Sequence, residues 1–205
     1  MKKILITGFE PFDGETINPS YEAIKNIKSV YLEGHVVKLQ VPTAFYVSSK
    51  LIIEKIHEIA PDIIIMVGQA GGRKGISIER IAINIDDSEL PDNRGIKPLD
   101  NPISLLGKNA LFSTLPIKKI EQRLKSLGIP VHISNTAGTY VCNHVFYSVL
   151  HELEINSSLS HIIAGFIHVP YIKEQTKFKQ HLFALDLDII THSLEEIIQT
   201  CLDSL

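Results

Sequence analysis

In the segment Ser134-Asn135-Thr136-Ala137-Gly138-Thr139-Tyr140-Val141-Cys142-Asn143-His144, a cysteine falls where a predicted strand at 131–134 gives way to a predicted helix at 141–153. Val145, Val149 and Leu153 form the apolar stripe of that helix. A sulfur at a helix N-terminus faces backbone N–H groups that lack partners and the positive end of the helix dipole. Both favour thiolate over thiol, and thiolate is the nucleophile. The chemistry open to such a residue is attack on a carbonyl carbon, that of a cysteine hydrolase. Free cysteine is also among the most buried residue types. Cys201 fits that description, on an apolar helix face with Ile190, Leu194, Ile197, Ile198 and Leu205. Cys142 fits it less well, and its position alone leaves both readings open.

A cysteine nucleophile needs a base and a group that orients the base. With nine histidines in the chain, no single one is informative by type. His168 stands out because it ends the apolar run 162–167 and is followed by Val169-Pro170; the alternative is a histidine that caps a strand. His144 is closer in sequence, but two positions along a helix turn it away from Cys142. His57, His151 and His192 lie in amphipathic helices and suit surface or boundary roles. No closely spaced Cys/His/Asp set has metal-ligand spacing, and no cofactor is expected. Glu79 lies within Ile76-Ser77-Ile78-Glu79-Arg80-Ile81-Ala82, and by spacing alone it reads as half of an exposed Glu/Arg pair. Gly68-Gln69-Ala70-Gly71-Gly72-Arg73 lacks the Lys-Ser/Thr of a phosphate loop and the three-glycine dinucleotide pattern. Its glycines permit close backbone approach or simply make a turn. Phe9 and Phe12, in Gly8-Phe9-Glu10-Pro11-Phe12-Asp13-Gly14, could wall a small pocket or anchor the loop. Asn18-Pro19-Ser20 reads as an N-cap with proline at the first helical position.

The elements that must position these residues alternate. Strands are predicted at 4–7, 36–41, 63–67, 131–134 and 162–167, and helices at 20–28, 44–60, 117–127, 141–153 and 189–202. Continuous runs such as Ile63-Ile64-Ile65-Met66-Val67 suit strands covered on both faces. The expectation is a single α/β domain over residues 1–205, a three-layer sandwich with a mainly parallel twisted sheet flanked by helices. The stretch 76–83 reads as a strand or hairpin arm, and 85–108 as a long irregular segment of the kind often used for function. Ligands bind beyond the carboxyl ends of strands in such sheets. The segments 8–14, 68–75, 135–142 and 168–170 all fall there, which favours chemistry at Cys142. The 205 residues carry a formal charge of -3, which argues against nucleic acid or an anionic membrane as partner. The apolar run after Lys2-Lys3 is too short for a signal peptide or a membrane span, and two dissimilar cysteines suggest no disulfide framework. A reduced, cytoplasmic protein is expected.

Together the segments 8–18, 68–84, 91–93, 134–144 and 165–171 resemble the pyroglutamyl peptidase I (pyrrolidone-carboxylate peptidase) family, in order and over nearly the whole chain. The most specific are 68–84 and Ala137-Gly138-Thr139-Tyr140-Val141-Cys142-Asn143. The resemblance implies a cofactor-independent cysteine exopeptidase that removes N-terminal 5-oxoproline from peptides through a Cys–His–Glu triad. It makes Cys142 the nucleophile, His168 the base and then acid, and Glu79 the orienting carboxylate, against the spacing-based reading of Glu79. It places Phe9 and Phe12 around the lactam ring, Asn18 and Gln69 as its hydrogen-bonding partners, and Val141 in the same pocket. It also implies a homo-oligomer, a dimer or tetramer. The chain departs from the family pattern at Glu89, where an arginine near the oxyanion site is common, and at Asp13, in place of a frequent glycine. The 26 positions between Cys142 and His168 are slightly more than usual, which the polar stretch 156–160 would absorb as a surface turn. The Glu89 departure leaves two alternatives, a related amidohydrolase of altered specificity and a weakly active binder of pyroglutamyl peptides.

Overall fold

The computed structural model describes residues 1–177 and 181–205. Its elements run β1 (Lys2–Phe9), α1 (Pro19–Asn26), β2 (Gly34–Val41), α2 (Val47–Ile59), β3 (Ile63–Gln69), β4 (Ile76–Glu79) and β5 (Ile81–Ile83). They continue with β6 (Ala110–Phe112), α3 (Ile117–Ser126), β7 (Val131–Ser134), α4 (Val141–Ile155), β8 (Ile163–Val169), β9 (Tyr171–Ile172), β10 (Ala184–Leu185) and α5 (Leu187–Leu202). The central sheet has six strands in the order β2-β1-β3-β8-β4-β7. All its pairings are parallel except β4 with β8, which is antiparallel.

The period-two rule of strands divides the sheet into two faces. Ile4, Ile6, Ile63, Ile65, Val67 and Ile167 pack with α1, α3 and α5, while Leu5, Ile64, Met66, Ala164 and Phe166 pack with α2 and α4. All seven residues of β3 are buried, as a strand covered on both faces requires. Burial of each such Ile or Val side chain stabilises the fold by about 1.5–3 kcal/mol. The three-layer expectation is met. Cys201 is fully buried on the inner face of α5, as its spacing implied.

Two boundaries differ from the sequence reading for local reasons. The helix expected from 44 begins at Val47 because Tyr46 takes φ 63°, which no helix interior accepts. The stretch 76–83 is two strands rather than one, broken at Arg80. The first of them enters the sheet between β8 and β7, and its insertion there carries Glu79 into the interior. Residues 84–109 form no regular element, yet side-chain bonds to backbone hold them. Asp92 Oδ1 accepts from the N–H groups of Arg94 and Ile96, each at 2.8 Å, and Oδ2 accepts from Phe45 N–H at 2.8 Å. The stretch at 156–160 forms a short 3-10 turn at Ser157–Leu159, capped by Asn156.

Candidate active site

Register places the site. On neighbouring parallel strands Gly68 pairs with His168, and on the other side of β8 Ser77 pairs with His168 and Glu79 with Phe166. Paired residues present their side chains to one face, here the face covered by α2 and α4. Gly68 has no side chain, and a β-carbon built on it would lie 2.8 Å from Cys142 Sγ and 2.9 Å from Phe166 Cζ. The sulfur therefore sits over Gly68, beside the strand position of His168. Cys142 is the second residue of α4, whose first-turn N–H groups lack helical partners. The Phe166 ring lies 4.8 Å from the His168 ring and also packs against Phe9 and Phe146.

Glu79 Oε1 lies 2.7 Å from His168 Nδ1, with Glu79 fully buried and His168 3% exposed. Arg73 Nη1 donates to the same oxygen at 2.5 Å, and its Nη2 donates to Thr136 O at 2.9 Å. Burial works against the charge on Glu79, but the hydrogen bond and charge of His168, with Ser134 and Arg73, hold the carboxyl below the ordinary glutamate range. For His168 burial wins: it lowers the imidazole below its ordinary value despite Glu79, and Arg73 adds to the lowering. A carboxylate only accepts, so Nδ1 is the ring nitrogen that donates to Glu79, and Nε2 is the one left to act as a base. Arg80, the neighbour that suggested an exposed ion pair, turns instead to Asn135 Oδ1 at 2.8 Å.

At Cys142 burial opposes the helix N-terminus. The side chain is partly accessible, but protein surrounds the sulfur, and that desolvation pushes its thiol up to about 12. Glu79 adds to the rise and Arg73 opposes it. Among the described residues neither Sγ nor His168 Nε2 has a hydrogen-bond partner, so the sulfur and the base share a face without a bond between them. This arrangement suits proton transfer from thiol to imidazole as the sulfur attacks, since catalytic hydrogen bonds often tighten only when substrate binds.

The other sequence candidates divide. Val141 is fully buried at the start of α4. Phe9, 2% exposed, is a core residue at the end of β1 rather than an exposed wall, whereas Phe12 is half-buried with its ring 6.0 Å from that of Tyr140. Asn18 is the expected N-cap: its Oδ1 accepts from Ser20 N and Oγ, and its Nδ2 donates to Glu10 O at 3.0 Å. It has at most one N–H left for a ligand. Gln69 Oε1 accepts from Gln175 Nε2 at 3.0 Å. Asp13 takes φ 53°, which explains why glycine would suit that position. Glu89 is exposed on the segment 87–91, which runs beside the approach to Cys142: Asp87 N–H donates to Thr139 O, and Tyr140 OH donates to Pro91 O.

Three further residues escaped the sequence reading. Arg73 is one. Asn143 brackets β5 and the following loop, bonding Ile83 N, Ile83 O and Ile85 O. The third is Asp86, fully buried, whose Oδ2 lies 2.7 Å from His144 Nδ1. His144 Nε2 in turn accepts from Tyr46 N–H at 3.1 Å and lies 3.0 Å from Ser49 Oγ. An acid in a polar, irregular loop gave no period to mark it as buried. His57 and His192 are exposed and His151 is half-buried, as expected. Among the described residues no group of three or more His, Cys, Asp or Glu side chains could hold a metal ion.

A thiol over a glycine slot, an imidazole beside it and a buried carboxylate behind suit an α/β protein of the cysteine-hydrolase type. A profile of the pyroglutamyl peptidase family matches residues 2–203. Pyrrolidone-carboxylate peptidase 1 of Caldanaerobacter subterraneus is 49% identical over 197 residues, covering 96% of each chain. The crystal structure of pyroglutamyl peptidase I from Bacillus amyloliquefaciens superposes with a TM-score of 0.94 at 47% identity, covering 98% of this chain and 94% of that one. A mutant pyrrolidone carboxyl peptidase from the hyperthermophile Pyrococcus furiosus gives 0.94 at 40% identity over 99% of both chains. The chain belongs to the pyroglutamyl peptidase family.

Proposed function

We propose that this protein is a cysteine exopeptidase that removes an N-terminal pyroglutamyl residue from peptides, with Cys142, His168 and Glu79 as its catalytic set. Cys142 Sγ bonds to the carbonyl carbon that joins the pyroglutamyl ring to the next residue, while its proton passes to His168 Nε2. The oxygen gains the negative charge and is met by the Cys142 N–H at the head of α4. The imidazolium gives its proton to the departing amine as the C–N bond breaks, which leaves a thioester on Cys142. Water, deprotonated by His168, attacks the thioester, and free pyroglutamate leaves as the thiol reforms. Through the cycle Glu79 accepts from Nδ1–H and stabilises the imidazolium.

The observation that carries this reading is the seating of Cys142 Sγ over Gly68, the register partner of His168, with His168 bonded through its other nitrogen to a buried carboxylate. The proposed lactam pocket is assigned to the half-buried Phe12 and to Gln69, Asn18 and Val141, which are buried, with the core residue Phe9 packed on Phe166 beneath it. A pocket shaped for a neutral cyclic amide disfavours the ammonium of an ordinary N-terminus. The test is release of a fluorescent amine from a pyroglutamyl amide under reducing conditions. Turnover that disappears in Cys142→Ser with the fold retained supports the reading; no turnover by the native chain contradicts it.

Glu89 favours one second reading, because an exposed anion on the 87–91 segment would repel a developing oxyanion nearby. The outcome would be a slower enzyme or altered amide specificity, and Glu89→Arg would then raise the rate. A cytoplasmic homodimer or homotetramer belongs to the same proposal. Its support is two free thiols and the exposed apolar side chains of Leu105, Leu106 and Phe112. Among the described residues no helix is long and apolar enough to cross a membrane.

A further inference from the structure

We propose that Arg73 is a positioning residue of this site, fixing Glu79 toward His168 and placing a fixed positive charge against the same carboxylate oxygen that His168 Nδ1 meets. The inference rests on the reading of Cys142, His168 and Glu79 as that set.

The geometry is that of a clamp. Two N–H groups of one planar guanidinium reach two different pieces of chain: Nη1 goes to Glu79 Oε1 at the end of β4, and Nη2 to Thr136 O in the turn between β7 and α4. That turn is itself organised on Thr136, whose backbone oxygen also accepts from Ser134 Oγ and whose hydroxyl accepts from Gly138 N–H. It leads directly into the turn of helix that carries Cys142. The Glu79 side chain is wholly buried, and that of Arg73 is 26% exposed. His168 Nδ1 and Arg73 Nη1 share Oε1, while Oε2 has no partner among the described residues. A carboxylate torsion is broad and roughly two-fold when nothing holds it. Two donors on one oxygen hold it in the orientation His168 needs. A lysine, with a single point-like donor group, cannot span both acceptors in the fixed fork geometry.

The electrostatics point the same way. Among the described residues the charged groups acting on His168 are Glu79 and Arg73, and the same two act on Cys142. Glu79 is acted on by His168 and Arg73, with Ser134 as the neutral contributor. The Tyr140 phenol beside Cys142 is pushed up to about 12, chiefly by burial and then by Asp92, and stays neutral. Arg80 faces away, on Asn135. Removal of the Arg73 charge makes every protonation in the site more favourable, so the apparent pKa values of thiol and imidazole both rise.

The experiment uses the full-length protein with Arg73→Met and Arg73→Lys. The pH dependence of kcat/KM on a pyroglutamyl amide is measured beside the pH dependence of Cys142 alkylation by iodoacetamide, followed by peptide mass spectrometry. For Arg73→Met both limbs of the rate profile and the alkylation midpoint move to higher pH, because the lost positive charge no longer opposes protonation. For Arg73→Lys the midpoints stay near the native ones, while kcat falls and KM changes little, because the charge remains and the clamp is lost. Native midpoints in Arg73→Met, or native kcat in Arg73→Lys, would overturn the proposal. If Arg73→Met does not fold, the kcat and midpoints of Arg73→Lys decide the matter alone. The alkylation arm needs no turnover, so an inactive native chain would count against the catalytic reading and leave this test standing.

Discussion

His168–Glu79 and His144–Asp86 are built alike and placed differently. Each sets an imidazole Nδ1 2.7 Å from a carboxylate oxygen, and in each the acid is fully buried and the histidine nearly so. Each acid also keeps one oxygen without a partner among the described residues. The difference lies at the far nitrogen. His144 Nε2 is occupied by Tyr46 N–H and approached by Ser49 Oγ, so this imidazole ties α4 to the start of α2 and to the 84–109 segment. His168 Nε2 has no such partner among the described residues and lies on the side of the sheet where the Cys142 sulfur sits over Gly68. An imidazole–carboxylate pair is thus a structural pin or a proposed base according to what is left for its second nitrogen to do.

Removing each histidine gives the largest contrast. His168→Ala should lower kcat/KM by roughly 10²–10⁴-fold with a smaller change in Tm, because Arg73 Nη1 still donates to the buried Glu79. His144→Ala should instead cost about 3–5 kcal/mol of stability, because it strands a buried carboxylate. For a chain of this size that lowers Tm by on the order of 10 °C, and activity below the transition should stay within a few-fold of native. Calorimetry beside an amide-release assay separates the two; equal effects of both variants on activity would break the comparison.

The acids sharpen it further. Glu79→Gln leaves His168 without its orienting anion and should reduce kcat by roughly 10²-fold or more, whereas Asp86→Asn keeps an acceptor for His144 Nδ1–H. That variant should cost about 1 kcal/mol in a urea titration and little activity. Gly68→Ala tests the slot itself. The added carbon would meet Sγ and the Phe166 ring, and displacement of the sulfur by a fraction of an ångström should lower kcat by up to about 100-fold. Unchanged kcat in Gly68→Ala would show that the sulfur can move without cost.

Much of this was legible in the chain because it rests on local pattern. The Ile/Val runs at 4–7 and 63–67 marked the buried strands, Asn18-Pro19 marked the start of α1, and Cys142 stood at a strand-to-helix junction. What the pattern could not show was pairing. Glu79 beside Arg80 looks like an exposed ion pair until β4 is inserted between β8 and β7, which turns one side chain inward and the other toward Asn135. Arg73 lies in a glycine-rich turn with no period to give its direction, and its partners are 6 and 63 positions away. Asp86 and His144, 58 positions apart, meet only because an irregular segment folds back on α4. Enclosure of the sulfur was hidden for a related reason: a helix terminus is visible in sequence, while the burial that pushes the Cys142 thiol up is not.

The smallest expected effect concerns acid. The folded His168 imidazole lies below its ordinary value of 6.5, so its contribution to stability is complete above that pH and is lost as pH falls through the folded value. Glu79, held below 4.5, contributes above that pH, and its share is lost as pH falls through its own lowered value. Urea midpoints followed from about pH 7 down to about pH 4 should therefore decline more steeply for the native chain than for His168→Ala. Parallel curves would show that this imidazole takes no part.

The central claim is that Cys142 and His168 act as one unit, and a double-variant cycle on pyroglutamyl-amide hydrolysis tests it most directly. Residues that work together lose their effect together. Cys142→Ala, His168→Ala and the double variant should then fall to the same residual rate. Losses that multiply in the double variant would mean independent contributions and would contradict the account.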